Sequence, residues 1–150
     1  TGYEAAEGSV QLQVGTPPIL SLVALDEALE VFSSVDVEAL RRKSIALTEL
    51  FIALVEDRLS GHGLRLASPR DPVRRGSQVA FAHPEGFAIM QALIDRGVIG
   101  DFRAPDLLRF GFAPAYIRFV DVWDAVAVLE DIMNSRAWDR PEFRLRSKVT

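Results

Sequence analysis

The sequence predicts an α+β domain in which helices cover one face of a small, largely antiparallel sheet. Three observations lead there. Two helical periods open the chain's ordered part, at about residues 18–32 and 36–60. Short strand-like runs at 64–67, 77–82, 98–103 and 107–112 then interleave with two further helical periods, at 84–96 and 119–135. Finally, 150 residues with 49% apolar and 25% charged side chains make an ordinary globular chain, long enough to bury a core.

Taken in order, Val10, Leu12 and Val14 alternate with Gln11 and Gln13, the period of a half-buried strand. Thr16-Pro17-Pro18 reads as a helix start, since threonine caps well and proline suits the first helical position. Leu22, Leu25, Leu29 and Phe32 mark one face of that helix, and Ser33-Ser34 interrupts it. Asp36 can cap the second helix, whose apolar stripe is Val37, Leu40, Leu47, Leu50, Phe51, Leu54 and Val55; Gly61 and Gly63 end it. The helix at 84–96 turns Phe87, Met90, Leu93 and Ile94 inward and closes at Gly97. The last helix presents Val122, Trp123, Val126, Leu129 and Met133 on one side, and a charged tail from Trp138 packs in part. No internal repeat or low-complexity tract is present.

Composition removes several function classes. Without cysteine there are no disulfides and no thiolate metal sites, and His62 and His83 stand far apart, so no metal site is expected. A net charge of −4 with scattered basic residues argues against nucleic acid. No apolar run approaches the roughly 20 residues that span a bilayer, and no secretory signal opens the chain, so a cytoplasmic location is expected. The chain starts at Thr1 without methionine, which suits a piece of something longer.

Two segments can carry chemistry. The first is Gly15-Thr16-Pro17-Pro18-Ile19-Leu20. A helix start offers unpaired N–H groups to an anion, but two prolines remove two of those donors, so an anion there leans on the Thr16 hydroxyl. Thr16 is equally a plain helix cap, and caps of this kind are the commoner case. The second is Leu107-Leu108-Arg109-Phe110-Gly111-Phe112-Ala113-Pro114. On a strand, Arg109 and Gly111 point away from Leu108, Phe110 and Phe112, leaving room for a planar anionic group. Guanidinium holds a carboxylate by two parallel hydrogen bonds, which lysine cannot do. The residues alone favour the plainer alternative, an arginine that pairs with a protein carboxylate or faces water. Lesser candidates read as structural. Arg74-Arg75-Gly76-Ser77 looks like an anion nest but reads more readily as a solvated turn, His83 begins a helix, and Asp121, Asp124, Glu130 and Asp131 form a wet helix face. No serine–histidine–acid set and no catalytic carboxylate pair emerges.

The segments in combination resemble the middle and end of kynureninase. Those that carry the likeness are Gly15–Leu20, the Leu25–Phe32 helix, Leu40-Arg41-Arg42-Lys43-Ser44 with Leu47-Thr48, and Arg75-Gly76-Ser77-Gln78-Val79. They continue with Asp95-Arg96-Gly97-Val98, Leu108–Pro114 with Tyr116, and Phe119-Val120-Asp121-Val122. The ordered set covers essentially the whole chain. The resemblance implies the small carboxy-terminal domain of a fold-type I, aspartate-aminotransferase-like enzyme dependent on pyridoxal 5'-phosphate (PLP). Residues 1–29 would be the end of the large domain and the crossing helix, and 30–150 the small domain. It implies hydrolysis of L-kynurenine to anthranilate and L-alanine, in tryptophan catabolism, by a homodimer. It implies further that Arg109 binds the substrate α-carboxylate, and that Thr16 helps hold the cofactor phosphate across the subunit interface. The family's cofactor lysine, the acid at the pyridine nitrogen and the ring-stacking aromatic all lie upstream of this chain. Lys43 and Lys148 do not match the lysine motif, so the chain alone is expected to be inactive, with no catalytic residue of its own. Two alternatives remain open: a relative preferring 3-hydroxykynurenine, which Arg109 would serve equally, and a free-standing, non-catalytic interaction domain.

Overall fold

The structure, a computed structural model, describes residues 2, 4–13 and 15–145 and divides into two compact units, residues 1–36 and 37–150.

In the first unit, Gly8–Leu12 forms a 3-10 turn and Ile19–Ser33 forms helix α1. The strand expected at 10–14 is therefore not there, and Val14 lies outside the described residues. Alternation alone does not make a strand: the backbone groups need a neighbouring ladder, and among the described residues this unit holds no strand. The expected cap at Thr16 is also overturned. The cap position belongs to Pro18 (φ −71°, ψ 91°), with no side-chain capping bond. Each proline pushes the residue before it out of helical geometry, so Pro17-Pro18 holds Thr16 and Pro17 outside the helix, and the first turn closes from Leu22 N–H to Pro18 C=O at 3.0 Å. No residue of α1 is buried. The face expected at Leu22, Leu25, Leu29 and Phe32 stays 48–56% exposed.

The second unit holds the core. Helix α2 (Val37–Arg58) follows Asp36 directly and buries Leu47, Phe51, Ile52 and Val55, while Val37 at its start stays exposed. Strands β1 (Arg65–Leu66), β2 (Gln78–Ala82), β3 (Asp101–Arg103) and β4 (Leu107–Gly111) form one sheet in the order β1-β2-β4-β3, with every pairing antiparallel. Register sorts the two faces. Val79 lies opposite Phe110, and Phe81 and Phe102 both lie opposite Leu108, so these five share one side. The Phe51 ring of α2 meets Phe81, Phe110 and Phe112 there, at centroid distances of 6.0, 4.8 and 5.2 Å. Helix α3 (Gly86–Asp95) covers the same side. A Cβ on its Gly86 would stand 3.0 Å from Leu108 and 2.9 Å from the Asp106 carbonyl, so only glycine allows this approach. Helix α4 (Phe119–Ser135) packs on α2 and α3 and buries Val122, Val126, Leu129, Ile132 and Met133. The expected one-sided α+β layout is what forms.

Several details differ from expectation. Strand β3 starts at Asp101 rather than Val98. Gly97 (φ +83°) ends α3, and Val98 N–H is spent on Leu93 C=O at 2.9 Å, a helix-closing bond that keeps Val98 off the sheet. Trp123 is 50% exposed instead of core, with the Arg58 guanidinium 3.8 Å over its ring. Ile94 is likewise largely exposed, whereas Ile89 fills the core position beside Met90 and Leu93. Arg75 is no solvated turn residue. It is buried, donates to the Pro69 and Arg70 carbonyls at 2.7 and 3.0 Å, and pairs with Glu49, tying the 68–77 loop to α2. After α4, Trp138 is buried and Pro141–Arg144 forms a short helix α5. Lys148 lies outside the described residues.

Candidate functional site

Arg109 occupies the centre of β4, opposite Ala80 of β2 and Asp101 of β3. Because Leu108 and Phe110 point into the core, Arg109 must point to the other side of the sheet, the side α2 and α3 do not cover. Gly111 follows on that same side without a side chain, and a Cβ there would meet nothing within 4 Å. The open space beside the guanidinium that the sequence implies is present.

The guanidinium is not free. Its Nη2 donates to Asp101 Oδ2, and Arg103 Nε stands 3.4 Å from the same oxygen. The Arg109 hydrogen bond holds the Asp101 carboxyl below the usual carboxylate range, so Asp101 is ionised at neutral pH. The plainer expectation, pairing with a protein carboxylate, is thus part of the arrangement. Arg109 is nonetheless only partly satisfied. Its side chain is 29% exposed, and its Nε is buried without a hydrogen-bond partner among the described residues. The exposed part of the guanidinium is of a shape to receive a planar anion.

Thr16 sits in the first unit, exposed, two residues ahead of the cap position. Freed from capping, its hydroxyl has no hydrogen bond among the described residues to give up on binding an anion. Lys43 lies within α2, close enough for its charge to bear on Asp121.

The other charged candidates serve the fold. His83 Nδ1 accepts from Glu85 N–H at 3.0 Å, which places the ring proton on Nε2, directed to the His62 carbonyl at 3.1 Å. Burial lowers its pKa, in keeping with a neutral ring at the start of α3. Asp121 accepts from Arg118 N–H at 2.7 Å and closes a capping box on α4, while Glu130 and Asp131 pair with Arg58 and Arg96. Asp124 borders a cleft of about 450 Å³ floored by Phe51, Phe110 and Phe112, which sequence reasoning did not foresee because it forms where β3 stops short of Gly111. Asp101 was also missed. Its place opposite Arg109 depends on strand register, and no local spacing announces that. Among the described residues no group of acidic or histidine side chains could hold a metal ion, and no helix is long and apolar enough to cross a membrane.

A family model described as the kynureninase C-terminal domain matches residues 40–129. Kynureninases of Burkholderia mallei (strain SAVP1) and Burkholderia pseudomallei (strain K96243) are 53% identical to the chain over 148 residues. That of Pseudomonas fluorescens is 51% identical over the same length. In each case the match takes in 99% of this chain and 36% of the relative, so the chain spans little more than a third of the curated relatives' length.

Proposed function

The chain belongs to the kynureninase C-terminal domain family, and from that premise we propose that it works as the carboxy-terminal part of a complete kynureninase. The complete enzyme would hydrolyse L-kynurenine to anthranilate and L-alanine with PLP, as a cytoplasmic homodimer. Residues 1–29 would close the large domain and cross to the small one. The observation that supports this reading is Arg109, set beside Gly111 on the side of the sheet that α2 and α3 leave uncovered, with its side chain 29% exposed.

Within that enzyme the chain's own residues bind and orient. Arg109 would hold the substrate α-carboxylate, fixing the end of the molecule that does not react, so that the side-chain bond to be broken is presented in one orientation. Thr16 would donate its hydroxyl to the cofactor phosphate of the partner subunit, and its freedom from helix capping fits that task. PLP, when bound, supplies the electron sink that carbon–carbon cleavage needs. The residue that bonds it covalently would come from the rest of the polypeptide, so this chain alone has no reaction to perform.

Replacing Arg109 by lysine in the complete enzyme tests the reading. Charge is kept and the two-pronged contact is lost, at about 2–4 kcal/mol. Kynurenine affinity should fall by the corresponding one and a half to three orders of magnitude, with PLP content unchanged. Unaltered affinity in Arg109→Lys would remove Arg109 from the site.

A further inference from the structure

Resting on the carboxylate reading of Arg109, we propose that Asp101 is a positioning residue for substrate recognition, one that holds the Arg109 guanidinium in the orientation a carboxylate can grip. Asp101 and Arg109 face each other directly across β3 and β4 on the open side of the sheet. Directly opposed side chains on antiparallel strands start about 4.5–5.5 Å apart at Cβ, so a short aspartate meets only part of a long arginine. It does so at Nη2 alone. Nε, the other donor of that edge, has no partner, so Asp101 does not grip the guanidinium side-on with two bonds.

The consequence is specific. A single bond at Nη2 pins the plane of the group against rotation about its last torsions. It leaves Nη1, which makes no hydrogen bond among the described residues, to act with the second Nη2 hydrogen as the end of the group. That end is the pair of parallel donors that a carboxylate accepts. Pinning by an acid would be self-defeating if it merely neutralised the site. Arg103 answers this, because it lies 3.4 Å from the same Asp101 oxygen and is itself 63% exposed. Two guanidinium charges against one carboxylate leave the cluster net positive for an incoming anion. Ordering the arginine beforehand also spares the substrate the cost of immobilising a flexible side chain.

The test uses the complete enzyme, with L-kynurenine and its carboxamide, which lacks the charged carboxylate, as paired probes. Asp101→Asn should raise KM for L-kynurenine about tenfold while leaving kcat within about twofold and the carboxamide's KM unchanged. Asp101→Glu, which retains the charge, should recover most of the loss. Equal loss for both probes would make Asp101 a structural residue and overturn the proposal, as would an unchanged or lowered KM for L-kynurenine. Arg109→Lys, measured alongside, separates the two ideas. If it leaves KM unchanged, the reading of Arg109 itself fails. If it raises KM while Asp101→Asn does not, only the positioning role fails.

Discussion

Helices α1 and α4 are of similar length, 15 and 17 residues, and both are rich in large apolar side chains, yet they end in opposite states. Five residues of α4 are buried, at positions 122, 126, 129, 132 and 133, a single stripe set against α2 and α3. In α1 none is buried, and its apolar residues go nearly all the way round, with Leu20 87%, Val23 53% and Val31 69% exposed. A helix that is apolar on every side belongs inside a larger core, whereas one with a single stripe can complete a small domain from one flank. The contrast separates residues 37–145, which bury their apolar stripes against one another, from α1, whose apolar residues stay exposed.

Removing a core side chain should cost far more than removing one from α1. Phe51 is 1% exposed and touches three other aromatic rings, so Phe51→Ala should cost about 3–5 kcal/mol in urea unfolding of the 150-residue chain. Leu25→Ser in α1 should change stability by less than about 0.5 kcal/mol in the same assay, because that side chain is already 53% exposed. Comparable losses in the two variants would show that α1 contributes to the chain's own core after all.

A smaller effect sharpens the comparison at Thr16. A lost helix cap costs about 1 kcal/mol, but the cap position is Pro18, so Thr16→Val should leave the melting temperature unchanged. In the complete enzyme the same substitution should instead weaken retention of PLP, with Thr16→Ser mild. A lowered melting temperature with normal retention would return Thr16 to a purely structural role.

How much of this was legible in the sequence follows the same division. Periodicity gave α2, α3 and α4, and the alternation in 107–112 placed Arg109 and Gly111 on one face, because each signal is local and the core enforces it. The alternation from Val10 onward was equally clear, but the described residues of that unit offer no strand to pair with, and Gly8–Leu12 forms a 3-10 turn instead. Trp123 fitted the α4 stripe by spacing, but Arg58 covers its ring at the surface, a contact 65 positions away that no window along α4 could reveal. Arg75 and Asp101 were missed for the same reason. Their partners, Glu49 and Arg109, come from other elements, and side chains meet across a fold by register and packing rather than by spacing along the chain.

If this chain brings the carboxylate-binding side of a kynureninase site without the cofactor lysine, it cannot cleave L-kynurenine on its own. Anthranilate release from L-kynurenine with added PLP, measured side by side for the complete enzyme and for the 150-residue chain, tests it most directly. Release by the complete enzyme is expected, with none by the chain and no stoichiometric covalent attachment of PLP to Lys43 or Lys148. Anthranilate formed by the chain alone, or PLP bound one-to-one on either lysine, would contradict it.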